Sequence, residues 1–140
     1  MKTRIWILLF LSFSILPACS KDKALIGYRE DLNDTIKAYN DLVLSHDFQK
    51  AQLFATESIR EEFRARTKAG KDVHVVSYHI LNSDFQYTKG EETVNVEFDY
   101  TIPPSAQKKT LTDNQTWSFL YAKEEGKKRW RLITPLPEFK

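Results

Sequence analysis

The chain has 140 residues, room for one domain around a single core and too few for two. It is 41% hydrophobic and 29% charged, with 21 Lys+Arg against 19 Asp+Glu. That near balance removes the electrostatic motive for nucleic-acid binding, and a single cysteine, Cys19, excludes a disulfide framework within the chain.

The N-terminus reads as an address rather than as part of a fold. Lys2 and Arg4 precede a nearly continuous apolar run from Ile5 to Leu16, interrupted only by Ser12 and Ser14. A spanning helix needs about 20 apolar residues, so this run is too short to cross a bilayer alone. Leu16-Pro17-Ala18-Cys19 resembles the lipobox of bacterial lipoproteins. The resemblance implies that residues 1–18 are a cleaved signal peptide and that Cys19 takes a diacylglycerol and further acyl (palmitate-type) chains. Two or more chains anchor a domain stably. Ser20 follows the cysteine where an acidic residue would retain the protein at the inner membrane. In a source with two membranes, the implied location is the outer one, facing the periplasm. An ordinary secretory signal is the alternative. Removal of residues 1–18 takes Lys+Arg from 21 to 19 and leaves Asp+Glu at 19, so the mature domain is formally neutral.

Residues 19–23 read as the lipidated cysteine and a polar tether, with the folded domain over 24–140. From about Asp22, Leu25, Tyr28, Leu32, Ile36, Tyr39 and Val43 recur at three- and four-residue steps, the stripe of an amphipathic helix. It should end near Ser45-His46-Asp47, where Asp47 can cap a second helix carrying Phe48, Ala51, Leu53 and Phe54. A third helix carries Ile59 and Phe63 and stops at Gly70.

Beyond Gly70 the period changes to two. Val76, Tyr78 and Ile80 alternate with Ser77 and His79, after which Phe85 and Tyr87 shift parity, which predicts a bulge around Asn82-Ser83-Asp84. A hairpin turn at Lys89-Gly90-Glu91 leads into a strand with Val94, Val96, Phe98, Tyr100 and Ile102 on one face. Pro103-Pro104 ends it. A third strand, Lys109 to Lys123, alternates Trp117, Phe119 and Tyr121; a turn at Glu125-Gly126-Lys127 gives a fourth from Trp130 to Pro135.

The expected fold class is therefore α+β, with N-terminal helices packed on a curved antiparallel sheet of about four long strands. This order, the bulged first strand and the closing run from Gly126 to Ile133 resemble the cone of the nuclear transport factor 2-like (cystatin-like) superfamily. That superfamily holds both enzymes and non-catalytic binding domains, so fold alone does not choose between them.

Catalysis in such a cone requires inward acids or bases. Strand parity turns Glu97 and Asp99 outward, and no residue matches the isomerase pattern, so no catalytic position is assigned. His46, His74 and His79 form no metal set, and no cofactor is expected. Tyr28, Tyr39, Tyr78, Phe98, Tyr100, Trp117, Phe119 and Tyr121 are the candidate pocket lining, with core packing as their other reading. Asn95, Glu97, Asp99, Arg129 and Arg131 are the candidate protein-contact face. The expectation is a membrane-anchored envelope lipoprotein whose non-catalytic domain binds a protein partner, a small apolar molecule or a second copy of itself. The alternative is an isomerase- or dehydratase-like enzyme, with His79 or Asp99 inward if the register is off by one.

Overall fold

A computed structural model describes the backbone of residues 20–86, 88–122 and 126–140, and their side chains from Tyr28 on, Ala122 excepted. The signal segment and Cys19 lie outside the described residues. The element order is α1 (Ser20–Leu44), α2 (Phe48–Ala51), α3 (Arg60–Ala69), then β1 (His74–Gln86), β2 (Glu91–Thr101), β3 (Lys109–Ala122) and β4 (Lys127–Leu132). Two 3-10 turns, Gln52–Phe54 and Glu57–Ile59, link α2 to α3. The class is α+β, with an open, curved antiparallel sheet in the order β1-β2-β3-β4. Among the described residues no helix is long and apolar enough to cross a membrane.

Helix α1 begins at Ser20, so residues 20–23, expected as a tether, are helical. Its buried stripe is Leu32, Ile36, Tyr39 and Val43, one residue per helical turn or slightly less, with Asn40 beside it. The helix ends where His46 takes a left-handed conformation, φ 62°. Asp47 then caps α2 by accepting from the Lys50 amide at 3.2 Å. Phe63 is the buried residue of α3, which closes at Gly70.

Strand β2 alternates cleanly, with Val94, Val96, Phe98 and Tyr100 buried. The parity shift foreseen in β1 occurs at Leu81, just ahead of Asn82, and a second shift occurs at Val76. Val76 therefore leaves the row of Tyr78 and Ile80, where its spacing had put it. Gly90 and Gly126 take φ of 63° and 66° in the two hairpin turns, a region that costs most other residues strain. Strand β4 has the expected length but begins three residues earlier, at Lys127, and ends at Leu132. Its free edge is covered in part by the segment after the first 3-10 turn, where Ala55 bridges Leu132 and the Thr56 amide donates to Leu132 at 2.9 Å.

The core joins Leu32, Ile36, Tyr39, Val43, Phe48 and Phe63 from the helices to Val94, Val96, Phe98, Trp117, Trp130 and Leu132 from the sheet. Each large side chain buried there contributes about 1.5–3 kcal/mol. The C-terminal segment adds to it. Leu136 is fully buried, Arg66 Nη1 donates to its carbonyl at 2.8 Å, and Phe139 packs edge-on against Phe98 and Tyr100. The Tyr100 hydroxyl then donates to the Lys140 main-chain oxygen at 2.6 Å. Leu136→Ala should therefore cost about 2–5 kcal/mol in urea denaturation, as for other fully buried leucines. A cost under about 0.5 kcal/mol would mean that this segment does not dock.

Candidate binding surfaces

The eight aromatics proposed as one pocket lining fall into separate packed groups. Tyr39 stands edge-on to Trp117 at 5.5 Å and to Phe54 and Phe63 at 6.1 and 6.4 Å. Tyr28 meets Phe119 at 4.4 Å and Trp130 at 6.3 Å. Tyr78 adjoins Phe98, and Phe98 and Tyr100 share Phe139. Tyr121 is 61% exposed and stands outside the core, and Tyr28 is half-exposed. Tyr39, Phe98, Tyr100 and Trp117 are buried against other rings, so they fill the interior rather than line a shared space.

Strand parity read from the aromatics passed over the polar residues on the same face. Asp113 and Gln115 alternate with Trp117 on the inner side of β3, and both are buried. Gln115 Nε2 donates to Asn40 Oδ1 at 2.8 Å and to Asp113 Oδ2 at 3.0 Å. Gln115 Oε1 accepts from Trp117 Nε1 and Asn40 Nδ2, both at 3.3 Å, and Asn40 Nδ2 also donates to the Ile36 carbonyl at 2.9 Å. The Asp113–Gln115–Trp117 period of two was the available signal. Burial pushes the Asp113 carboxyl up to about 6, with the Gln115 hydrogen bond and the Arg66 charge opposing it. Tyr39 is raised by burial and by the Asp113 charge, and its hydroxyl has no hydrogen-bond partner among the described residues.

Outside this interior, a cleft of about 370 Å³ opens between α1 and β1. Ile36, Tyr78, Ile80 and Val94 give it apolar walls, and Asn33, Asp34, Lys37 and Ser83 give it polar ones. The Tyr78 hydroxyl donates to Asp41 Oδ1 at 2.8 Å, tying β1 to α1 beside the cleft. Burial, then that bond to Asp41, pushes Tyr78 up to about 12. Next to it β1 leaves Val76, Ile80 and Leu81 56%, 49% and 51% exposed.

The five residues of the proposed contact face lie apart. Asn95, Glu97 and Asp99 share the outer row of β2, where Asn95 Nδ2 donates to Asn82 Oδ1 at 2.7 Å. Asp99 accepts from Thr110 Oγ1 at 2.7 Å and Lys108 Nζ at 3.1 Å, bonds that hold its carboxyl below the usual range. Its outward direction, with exposed His79 opposite Glu97, excludes the register slip. Arg131 pairs across β3 with Ser118, which pairs with Glu91, so Arg131 lies four residues along from the Asn95 row. That is roughly 13 Å at a strand's rise. Arg129 and Arg131 instead line a second cleft at the β4 edge. Among the described residues no group of three or more His, Cys, Asp or Glu is placed to hold a metal ion. His46 Nε2 lies 3.2 Å from the Lys71 carbonyl.

No protein-family model and no curated protein matches the chain. Among solved structures, a SEC-C motif-containing protein from Psychrobacter arcticus is similar in fold, with a TM-score of 0.53 at 9% identity. The match covers 71% of this chain and 56% of that one. At that identity the likeness concerns the fold alone.

Asp113 makes stability depend on pH in a stated direction. Its carboxyl titrates near 6 when folded against an ordinary 3.8. Below about pH 4 both states hold the proton and this group has no effect. Between about pH 4 and 6 only the unfolded chain ionises, so stability falls by roughly 3 kcal/mol in all and stays lower above that window. Asp113→Asn should remove this fall, raising stability at pH 7.5 by about 1–3 kcal/mol in urea denaturation with the gain vanishing near pH 4. A loss of stability at pH 7.5 would contradict it. Tyr39→Phe, which deletes an unpartnered buried hydroxyl, should be neutral or stabilising by up to about 1 kcal/mol in the same assay.

Proposed function

We propose that this chain is a lipid-anchored envelope protein, with residues 1–18 as signal peptide and Cys19 as the lipid-bearing residue. Its domain is a non-catalytic binding module of the nuclear transport factor 2-like cone type, and its partner is a protein. The observation that carries this reading is the trio Val76, Ile80 and Leu81, each about half exposed on an edge strand beside the α1/β1 cleft. Large apolar side chains left exposed along a sheet edge are a common mark of a protein-contact surface. Two bulges in the same strand blunt indiscriminate pairing while leaving side-chain contact open. The packed aromatic interior weighs against an enclosed apolar ligand. An outer-membrane location facing the periplasm follows from Ser20 by the lipobox resemblance.

The enzymatic alternative draws on one observation, the inward Asp113 with its raised carboxyl. Asp113 is 7% exposed and neither wall set of the two clefts includes it, so the binding reading is preferred.

A photoreactive residue placed at Ile80 in the full-length chain, irradiated in intact cells, tests the reading. The expected result is one or a few discrete adducts, reduced at least several-fold by Val76→Glu. A species at twice the chain mass would identify the partner as a second copy. Yield no greater than from the exposed outer-face position Thr112 would count against the β1 edge as the contact surface.

A further inference from the structure

Helix α1 starts at Ser20, one peptide bond from Cys19, over residues where a polar tether was expected. Eight steps along it lead from Ser20 to Tyr28, about 12 Å at the rise of an α-helix. A lipid on Cys19 would therefore join a regular helix rather than a slack linker. The end of the domain that carries the start of α1 is then the end held close to the bilayer.

The contacts of α1 identify that end. Tyr28 meets Phe119 at 4.4 Å, and Asn40 bonds Gln115, so the helix runs antiparallel to β3. Asp41 accepts from Tyr78, and His46 stands 6.4 Å from His74, so it runs antiparallel to β1 as well. The start of α1 thus lies at the end of the sheet where β1 turns into β2 and β3 turns into β4. The Phe119 amide donates to the Gly90 carbonyl at 3.3 Å, which sets the first of these turns level with Tyr28. From Phe119, β3 continues two residues to Tyr121, about 7 Å further toward the start of the helix.

This end leaves Tyr28, Leu120 and Tyr121 exposed. Tyr121 continues the inner row of Trp117 and Phe119, and Leu120 points to the other face, so both sides of the β3 tip carry an apolar group. The opposite end, from Pro103 to Lys108, is made of proline and small or polar residues. Single exposed apolar side chains need no explanation, but these three coincide with the end from which α1 leads to Cys19. A tyrosine, apolar in its ring and polar at its tip, suits the boundary between lipid and water.

We propose that α1 is a short stalk that sets this hairpin end against the headgroup layer of the membrane, with Tyr121, Leu120 and Tyr28 as the contacting side chains. The placement rests on the reading of Cys19 as lipid-bearing. The headgroup layer is about 5–8 Å deep, and a tilt of the helix brings Tyr121 into it. A contact too weak to hold a free domain suffices here, because the anchor makes it intramolecular.

The test uses the lipidated chain, purified from membranes in a non-ionic detergent and reconstituted into phosphatidylcholine nanodiscs, whose surface has no net charge. The diacylglycerol thioether consumes the thiol of Cys19, so Lys89→Cys and Gln107→Cys each supply a single free thiol for a fluorophore. Lys89 lies in the turn between β1 and β2, and Gln107 lies at the opposite end between β2 and β3. Quenching by phosphatidylcholine spin-labelled on its headgroup should be at least about threefold stronger at position 89 than at position 107. Tyr121→Glu should reduce the quenching at position 89 at least about twofold with an unchanged melting temperature. Equal quenching at the two positions would overturn the proposal, as would unchanged quenching in the folded Tyr121→Glu variant. Intact mass separates these results from failure of the lipid reading: a chain without the acyl mass, its Cys19 open to thiol labelling, would remove the anchor and the placement with it.

Discussion

The side-chain amide of Gln115 ties the first helix to the middle of the sheet. It exchanges hydrogen bonds with Asn40 on α1, accepts from Trp117 and donates to Asp113 on its own strand. Each such bond adds only about 1 kcal/mol net, but a buried amide left unpaired costs about 1–3 kcal/mol. A slip of α1 along the sheet would therefore be penalised several times over. The network selects one placement of the helix where the apolar stripe of Leu32, Ile36, Tyr39 and Val43 alone would tolerate several. The same desolvation raises the Asp113 carboxyl and the Tyr39 hydroxyl, which has no hydrogen-bond partner among the described residues.

With the interior occupied by rings and this network, the exposed features of the domain lie at the two edges of the open sheet. Edge strands need protection from unwanted pairing. Strand β1 carries two bulges yet keeps apolar side chains in the open, whereas β4 is short, bridged by the loop at Ala55 and rich in cations. The edges thus present unlike surfaces on one domain, an apolar one beside α1 and a charged one at the far side.

Much of this was legible in the residues. Period-two alternation in β2 and the helical stripe in α1 are produced by burial on one face, and burial is what hydrophobic spacing encodes. The parity change in β1 betrayed its bulge to within a residue. Three features escaped for physical reasons. Asp113 and Gln115 look like solvent-facing residues unless strand parity is followed through them. Val76, Ile80 and Leu81 look like core, because spacing cannot tell a central strand from an edge. The docking of Leu136 and Phe139 depends on contacts 40 to 70 residues away, such as Tyr100 with Lys140 and Arg66 with Leu136, and leaves no local periodicity. The basic run of β4 was visible, but the cleft around it arises only when α1 and the turn at Leu53 and Phe54 pack beside it.

The central claim is that the polar centre of the domain is sealed from water, which leaves the proposed contact surface outside it at a sheet edge. Hydrogen–deuterium exchange of the Trp117 indole N–H and the Gln115 side-chain amide, followed by NMR on the full-length chain, tests this most directly. A sealed interior predicts that both signals persist about as long as the slowest backbone amides of β2 and β3. Exchange of both within the dead time, while those backbone amides remain protected, would mean that water reaches Asp113 through an open pocket and would contradict the account.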